Sequence, residues 1–150
     1  MCTAIEKICK CGKSLGVIHN ADSILPYEVV ISIYCPECSS GVEYNKAAMI
    51  EDNGWVIEYD MEIAKNFAQK IGISEDRITP EFLFENNYSS WNGYYPTDIR
   101  DKAVESQEIL KIAKVDPKRY LSEIRNWTEQ RIKRLSSEGW RKAKMAEAEI

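Results

Sequence analysis

An α+β fold is predicted for this chain, with strands concentrated before residue 60 and helices after it, and three observations predict it. Apolar residues alternate with a period of two in the first part and recur at helical spacing in the second. Asn53-Gly54 stands between two apolar runs, the strongest short hairpin signal. A capping residue followed by proline, at Thr79-Pro80 and again at Asp116-Pro117, opens a helix each time. The expected division is a β unit over 1–60 and a helical region over 61–150 that ends in an αα-hairpin.

Each element follows from local pattern. Residues 13–19 (KSLGVIH) and 28–34 (EVVISIY) read as strands. The second places Val29, Ile31 and Ile33 on one face and Val30, Ser32 and Tyr34 on the other. Between them Asn20, Asp22, Ser23 and Pro26 mark a loop. A two-residue turn at Asn53-Gly54 pairs Ile50 with Ile57 and Ala48 with Tyr59. Asp60 caps a helix with Ala64, Phe67, Ala68 and Ile71 on one face, and Gly72 stops it. Thr79-Pro80 opens a short helix through residue 86, and 86–98, polar and aromatic, reads as a long loop. Thr97 caps a helix over 98–114 with Ile99, Ala103, Leu110 and Ala113 inward. From Asp116-Pro117 a last helix runs to about residue 146, with Leu121, Ile124, Ile132 and Leu135 as its apolar stripe.

Composition narrows the class. The chain has 150 residues, 44% of them hydrophobic and 29% charged, as expected of one soluble globular domain or a domain with an appendage. No apolar run approaches the roughly 20 residues of a membrane helix, so no membrane partner is expected. The opening MCTAIEKICKCG lacks the apolar core of a signal peptide, and a cytoplasmic address is expected. There, five cysteines point to metal binding or catalysis before disulfides. Charge is uneven: residues 1–60 carry 4 Lys/Arg against 9 Asp/Glu, 61–110 carry 5 against 9, and 111–150 carry 11 against 6. A basic end follows an acidic body.

Four cysteines fall in two tight pairs, Cys9-Lys10-Cys11 and Cys35-Pro36-Glu37-Cys38. Four thiolates complete a tetrahedral shell around one zinc ion, and short spacing lets each pair sit on one turn whose amides face the sulfurs. The intervening residues are expected to form a hairpin that brings the two turns side by side. Over about residues 7–60 this resembles the zinc-ribbon (rubredoxin-like) class, in which two knuckles grip one metal. The matching residues are Cys9, Cys11 and Gly12 in the first knuckle and Cys35, Pro36 and Cys38 in the second. The first knuckle has one residue between its cysteines where the class usually has two, and the glycine nearest after Cys38 is Gly41. The resemblance implies Zn2+ on Cys9, Cys11, Cys35 and Cys38; iron fits the same four sulfurs.

Other residues offer competing chemistry. Cys2 reads as a free thiol at the terminus, with replacement of Cys9 as a ligand the alternative. His19, the only histidine, reads as a surface or partly buried residue. A redox Cys-x-x-Cys at the end of the strand would resemble glutaredoxin-like folds. The residues after Cys38 start a helix poorly, however, and Cys9 and Cys11 would be left without a role. Residues 64–78 have the outline of a helix-turn-helix, but Glu75, Asp76 and Pro80 suit neither phosphate nor base readout. In the basic segment Arg125, Trp127, Arg131, Lys133, Arg134, Trp140 and Arg141 form a candidate partner surface. Such charges and rings could serve nucleic acid, though packing against the acidic body is the preferred reading. No catalytic constellation is evident. The expected function is a zinc-stabilised, non-enzymatic binding or adaptor protein with a protein partner. A nucleic-acid-binding zinc-ribbon protein is the alternative, and a rubredoxin-like or thiol redox protein the third.

Overall fold

In the computed structural model, which describes residues 2–21 and 25–149, the chain divides into two compact units, Met1–Asn92 and Gly93–Ile150. Mixed α and β content is as predicted, and residues 61–92 fall in the first unit with the strands. Among the described residues no helix is long and apolar enough to cross a membrane.

Among its described residues the first unit contains six strands: β1 (Cys2–Ile8), β2 (Leu15–Ala21), β3 (Val30–Tyr34), β4 (Met49–Asp52), β5 (Trp55–Tyr59) and β6 (Ser89–Trp91). They form two antiparallel sheets, ordered β1-β2-β6 and β3-β5-β4. The hairpin expected between the cysteine pairs does not form. β2 pairs along its length with β1, Cys2 opposite Ala21 and Ile8 opposite Leu15, whereas β3 pairs with β5. The reason is β1. It is joined to β2 by a short turn and takes one edge of it, while β6 takes the other, so neither edge is left for β3.

The Asn53-Gly54 hairpin forms in the expected register, with Ile50 opposite Ile57 and Asp52 opposite Trp55. Tyr59 N donates to Ala48 O at 2.8 Å one step further out. Asn53 and Gly54 take φ of 51° and 92°, the positive pair that a tight turn matching the strand twist requires.

Three helices complete the unit: α1 (Pro36–Ser39), α2 (Met61–Asn66) and α3 (Pro80–Glu85). Asp60 caps α2 by accepting from the Glu62 and Ile63 amides, and Thr79 caps α3 by accepting from Phe82 N at 3.1 Å. A 3-10 turn, Ala68–Ile71, continues α2 to a left-handed Gly72. The polar stretch at 86–98, expected to be loop throughout, contributes β6. Trp91 in that strand is fully buried, edge-on to Trp55 at 5.7 Å. Its Nε1 donates to the buried Asp52 Oδ2 at 3.0 Å. Tyr59 OH donates to Ser89 O at 2.5 Å. These bonds stitch the two sheets together across a core that includes Ile18, Ile33, Ile50, Ile57, Phe84, Cys9 and Cys35. Of the expected loop before β3, Asp22 and Ser23 lie outside the described residues, as do the side chains of Cys2, Thr3 and Ile71.

The second unit is helical: α4 (Asp98–Glu105), α5 (Gln107–Val115), α6 (Pro117–Glu138) and α7 (Arg141–Ala148). Two helices were expected and, among the described residues, four form. The 98–114 segment breaks at Ser106, and the last helix stops at Gly139, whose φ of 111° ends it in the left-handed conformation. The Thr97 hydroxyl bonds Asp101 Oδ2 at 3.1 Å and caps nothing. Asp116 does cap α6, accepting from Arg119 N at 3.1 Å. The expected stripes hold in part. Ile132 and Leu135 are buried, whereas Ile99, Leu110 and Leu121 are exposed.

Candidate metal centre

Two chain turns carry the four cysteines to one place in the first unit. The β1–β2 turn holds Cys9 and Cys11. Cys9 N donates to Ser14 O at 2.8 Å and Gly12 N to Cys9 O at 2.8 Å, with Gly12 at a φ of 77° that lets the chain reverse. The second pair lies where β3 ends. Cys35 is the N-cap of the single-turn helix α1, with Pro36 at its first position. Ser39 N donates to Cys35 O at 2.8 Å and Gly41 N to Cys38 O at 3.1 Å. Cys-x-x-Cys on one helical turn points both sulfurs the same way.

The sulfurs of Cys9, Cys11, Cys35 and Cys38 all lie within 4.8 Å of one another. Bonds of about 2.3 Å at the tetrahedral angle place sulfurs about 3.8 Å apart, and Cys11 Sγ stands 3.8 Å from Cys35 Sγ. None of the four is in a disulfide. The donor set therefore fits a tetrahedral thiophilic ion without rearrangement of the turns. Backbone amides face the sulfurs, Cys35 N donating to Cys9 Sγ at 3.1 Å and Lys13 N to Cys11 Sγ at 3.5 Å. Such bonds disperse thiolate charge. Cys9 and Cys35 are buried, Cys38 is half-buried and Cys11 is exposed. The Cys38 amide pulls the Cys35 thiol well below its usual range, while hydrogen bonding to Cys9 and burial push Cys38 up. Negative charge is thus already favoured on the sulfur at the N-terminus of α1.

The Asn53-Gly54 turn braces the second pair, a role its hairpin signal does not announce. Ser39 Oγ donates to Gly54 O at 2.6 Å. A Cβ on Gly54 would stand 3.3 Å from Pro36 Cβ. Ser39 directly follows Cys38, and that adjacency is its one sign in the sequence.

His19 is half-buried on β2, opposite Ala4 and Ser90, and does not join the cysteine cluster. The candidate partner surface is not brought together as one exposed face. Arg125, Lys133 and Arg134 are exposed, and Trp127, Trp140 and Arg141 are half-buried. Arg131, expected in solvent, is 4% exposed. It ion-pairs with Asp98, and its Nε lies 3.3 Å from Glu105. Its guanidinium lies 5.7 Å from the Tyr94 ring, 5.9 Å from Tyr95 and 5.7 Å from Trp127. The carboxylate of Asp98 outcompetes water for it. Trp140 is also engaged within its unit, its ring 5.7 Å from that of Tyr95.

Compared with known proteins, the chain matches no family model, no curated protein and no solved structure.

Proposed function

We propose that the protein holds one Zn2+ ion on Cys9, Cys11, Cys35 and Cys38 as a structural centre, and that it acts as a non-enzymatic binding or adaptor protein. The observation that carries the reading is the meeting of four sulfurs within 4.8 Å, drawn from two sheets that share no strand. Four thiolates leave no coordination position for a substrate or an activated water, which favours a structural role over a catalytic one. Bound there, the ion would tie the β1–β2 turn to the end of β3. Elemental analysis of the purified protein tests the proposal, with about one zinc per chain expected and a marked fall in Cys38→Ser. Protein free of metal that also fails to take zinc from a chromogenic chelator would overturn it. Red colour with one iron per chain would replace zinc by iron on the same sulfurs.

For the adaptor role, the exposed Arg125, Lys133 and Arg134 of the second unit support a protein partner with acidic groups. Nucleic acid is less favoured. Residues 93–150 carry 13 Lys/Arg against 10 Asp/Glu, and 1–92 carry 7 against 14. The charge of Arg131 is already matched by Asp98 and Glu105. Binding of single-stranded or duplex nucleic acid that weakens steeply with salt would reverse that preference.

A further inference from the structure

We propose that the cysteine cluster is also an oxidation site, in which a hydroperoxide reacts first at Cys11 and Cys35 then closes a Cys11–Cys35 disulfide. Release of metal from the four-thiolate centre would follow, and that part rests on the zinc reading above.

Exposure separates the four sulfurs. Cys9 and Cys35 are buried, Cys38 is half-buried, and Cys11 is exposed. Cys11 sits in the β1–β2 turn beside Gly12, where an added Cβ would meet nothing within 4 Å, so the turn is open to a small solute. An oxidant from solvent therefore meets Cys11 before the other three. The resolving thiol must already lie inside the site, and Cys35 Sγ is 3.8 Å away, at van der Waals contact. Closing a bond of about 2.05 Å from there brings the two sulfurs together by under about 2 Å.

The chemistry balances with the hydroperoxide as sole oxidant. Cys11 thiolate attacks the O–O bond, takes one oxygen as a sulfenic acid, and an alcohol (water, for hydrogen peroxide) departs. Cys35 thiolate then attacks the Cys11 sulfur, the S–S bond forms, and hydroxide leaves as water. Two thiolates, one hydroperoxide and two protons from solvent yield one disulfide, one alcohol and one water. The two sulfurs lose two electrons and the O–O bond gains them. The chain is left with Cys9 and Cys38 as thiolate donors, half its set, and loses its hold on the ion. The new covalent link joins the same two turns that the ion would join, so the first unit exchanges one cross-link for another.

The test has two arms on the wild-type protein. In the first, metal-free reduced protein receives one equivalent of diamide, a diazene that accepts two electrons and two protons. Peptides are then mapped without reduction. Cys11–Cys35 is expected as the dominant link; Cys35–Cys38 or Cys9–Cys11 in its place, or no link, overturns the proposal. In the second, zinc-loaded protein is treated with hydrogen peroxide and zinc is read with a chromogenic chelator. Release is expected in step with the Cys11–Cys35 link; release while Cys11 still alkylates as a free thiol overturns it. A protein that takes up no zinc defeats the structural-centre reading, and the first arm still decides this one. In metal-free protein that carries Cys2→Ser to remove the terminal thiol, adding Cys11→Ser should slow peroxide consumption about tenfold. An unchanged rate would place first attack elsewhere.

Discussion

Replacing Arg131 by methionine should cost the second unit about 3–5 kcal/mol, because it strips the partner from a buried carboxylate. The Arg131 and Asp98 side chains are 3% and 2% exposed. Asp98 Oδ2 accepts from Tyr94 N at 2.6 Å, so the same carboxylate also holds the turn that leads into α4. Without the guanidinium, Asp98 Oδ1 faces no other hydrogen-bond donor among the described residues. The three ring contacts to Arg131 go as well, which pushes the loss toward the upper end of the range. A small unit has only a few kcal/mol in hand, so outright unfolding of the helices is within range. Urea denaturation followed by far-UV circular dichroism measures the loss. Lys133→Met, at an exposed position, should stay within about 0.5 kcal/mol. Arg134 is half exposed, and its bond to Glu105 at 3.1 Å should contribute about 0–1 kcal/mol.

The double variant Asp98→Asn with Arg131→Met provides the sharper comparison. Neutralising both ends removes the stranded charge, so the double loss should fall short of the summed single losses by about 0.5–3 kcal/mol. A loss under about 1 kcal/mol in Arg131→Met, with an unchanged denaturant slope and additive behaviour in the double, would show that water reaches Asp98 and that the burial argument is wrong.

Three further outcomes follow from the first unit. Gly54→Ala forces a side chain into a φ of 92° and against Pro36; the strain should cost about 1–3 kcal/mol, and faster zinc loss to a chelator should accompany the lower melting temperature. Equal zinc loss rates would separate the turn from the metal centre. Trp91→Phe deletes the indole N–H that Asp52 accepts, and a loss of about 1.5–3 kcal/mol is expected for a bond to a charged acceptor; a loss near zero on urea denaturation would show Asp52 satisfied without it. Metal retention should weaken as pH falls, because each cysteine ligates as a thiolate and binds a proton on release. Stability supplied by the ion is then present at neutral pH and lost on acidification, and a chelator competition that is flat from pH 7 to about 5 would exclude thiolate ligands.

Features with a short-range physical cause were legible in the sequence. Asn53-Gly54 dictates positive φ at two adjacent positions, and the register of β4 and β5 follows from that turn alone. Asp60 and Thr79 each reach amides two or three residues on, so their caps are local facts. Gly139 carried an equally local stop signal, although the helix was expected to run past it to about residue 146. The misses are non-local. The described residues of β1 alternate between exposed and half-buried without an apolar face, so no periodicity announces the strand. The residues of β6, Ser89, Ser90 and Trp91, have turn-like composition yet lie fully buried, because β2 and the Trp55 ring receive them. Arg131 looks like Lys133 and Arg134 on paper. What separates it is Asp98, on a different helix, and no window of sequence contains both.

The same distinction explains why the clustering of Cys9, Cys11, Cys35 and Cys38 was legible in the sequence while the scaffold that gathers them was not. Cysteine spacing depends on the turn that holds each pair, and both turns form: β1 to β2 around Gly12, and β3 into α1 at Pro36. How the turns meet depends on strand partners far away in the chain. A hairpin between the pairs would have brought them together through β2–β3 hydrogen bonds. Here β2 and β3 lie in separate sheets, and the meeting is made by side chains: Cys35 N on Cys9 Sγ, the Trp91–Asp52 and Tyr59–Ser89 bonds, and a shared core that takes in Cys9 and Cys35. With Cys9 and Cys35 built into that core, two of the four sulfurs are positioned by packing. Cys11 and Cys38, less buried, rest on turn geometry, and that division fits Cys11 as the sulfur that oxidants reach first.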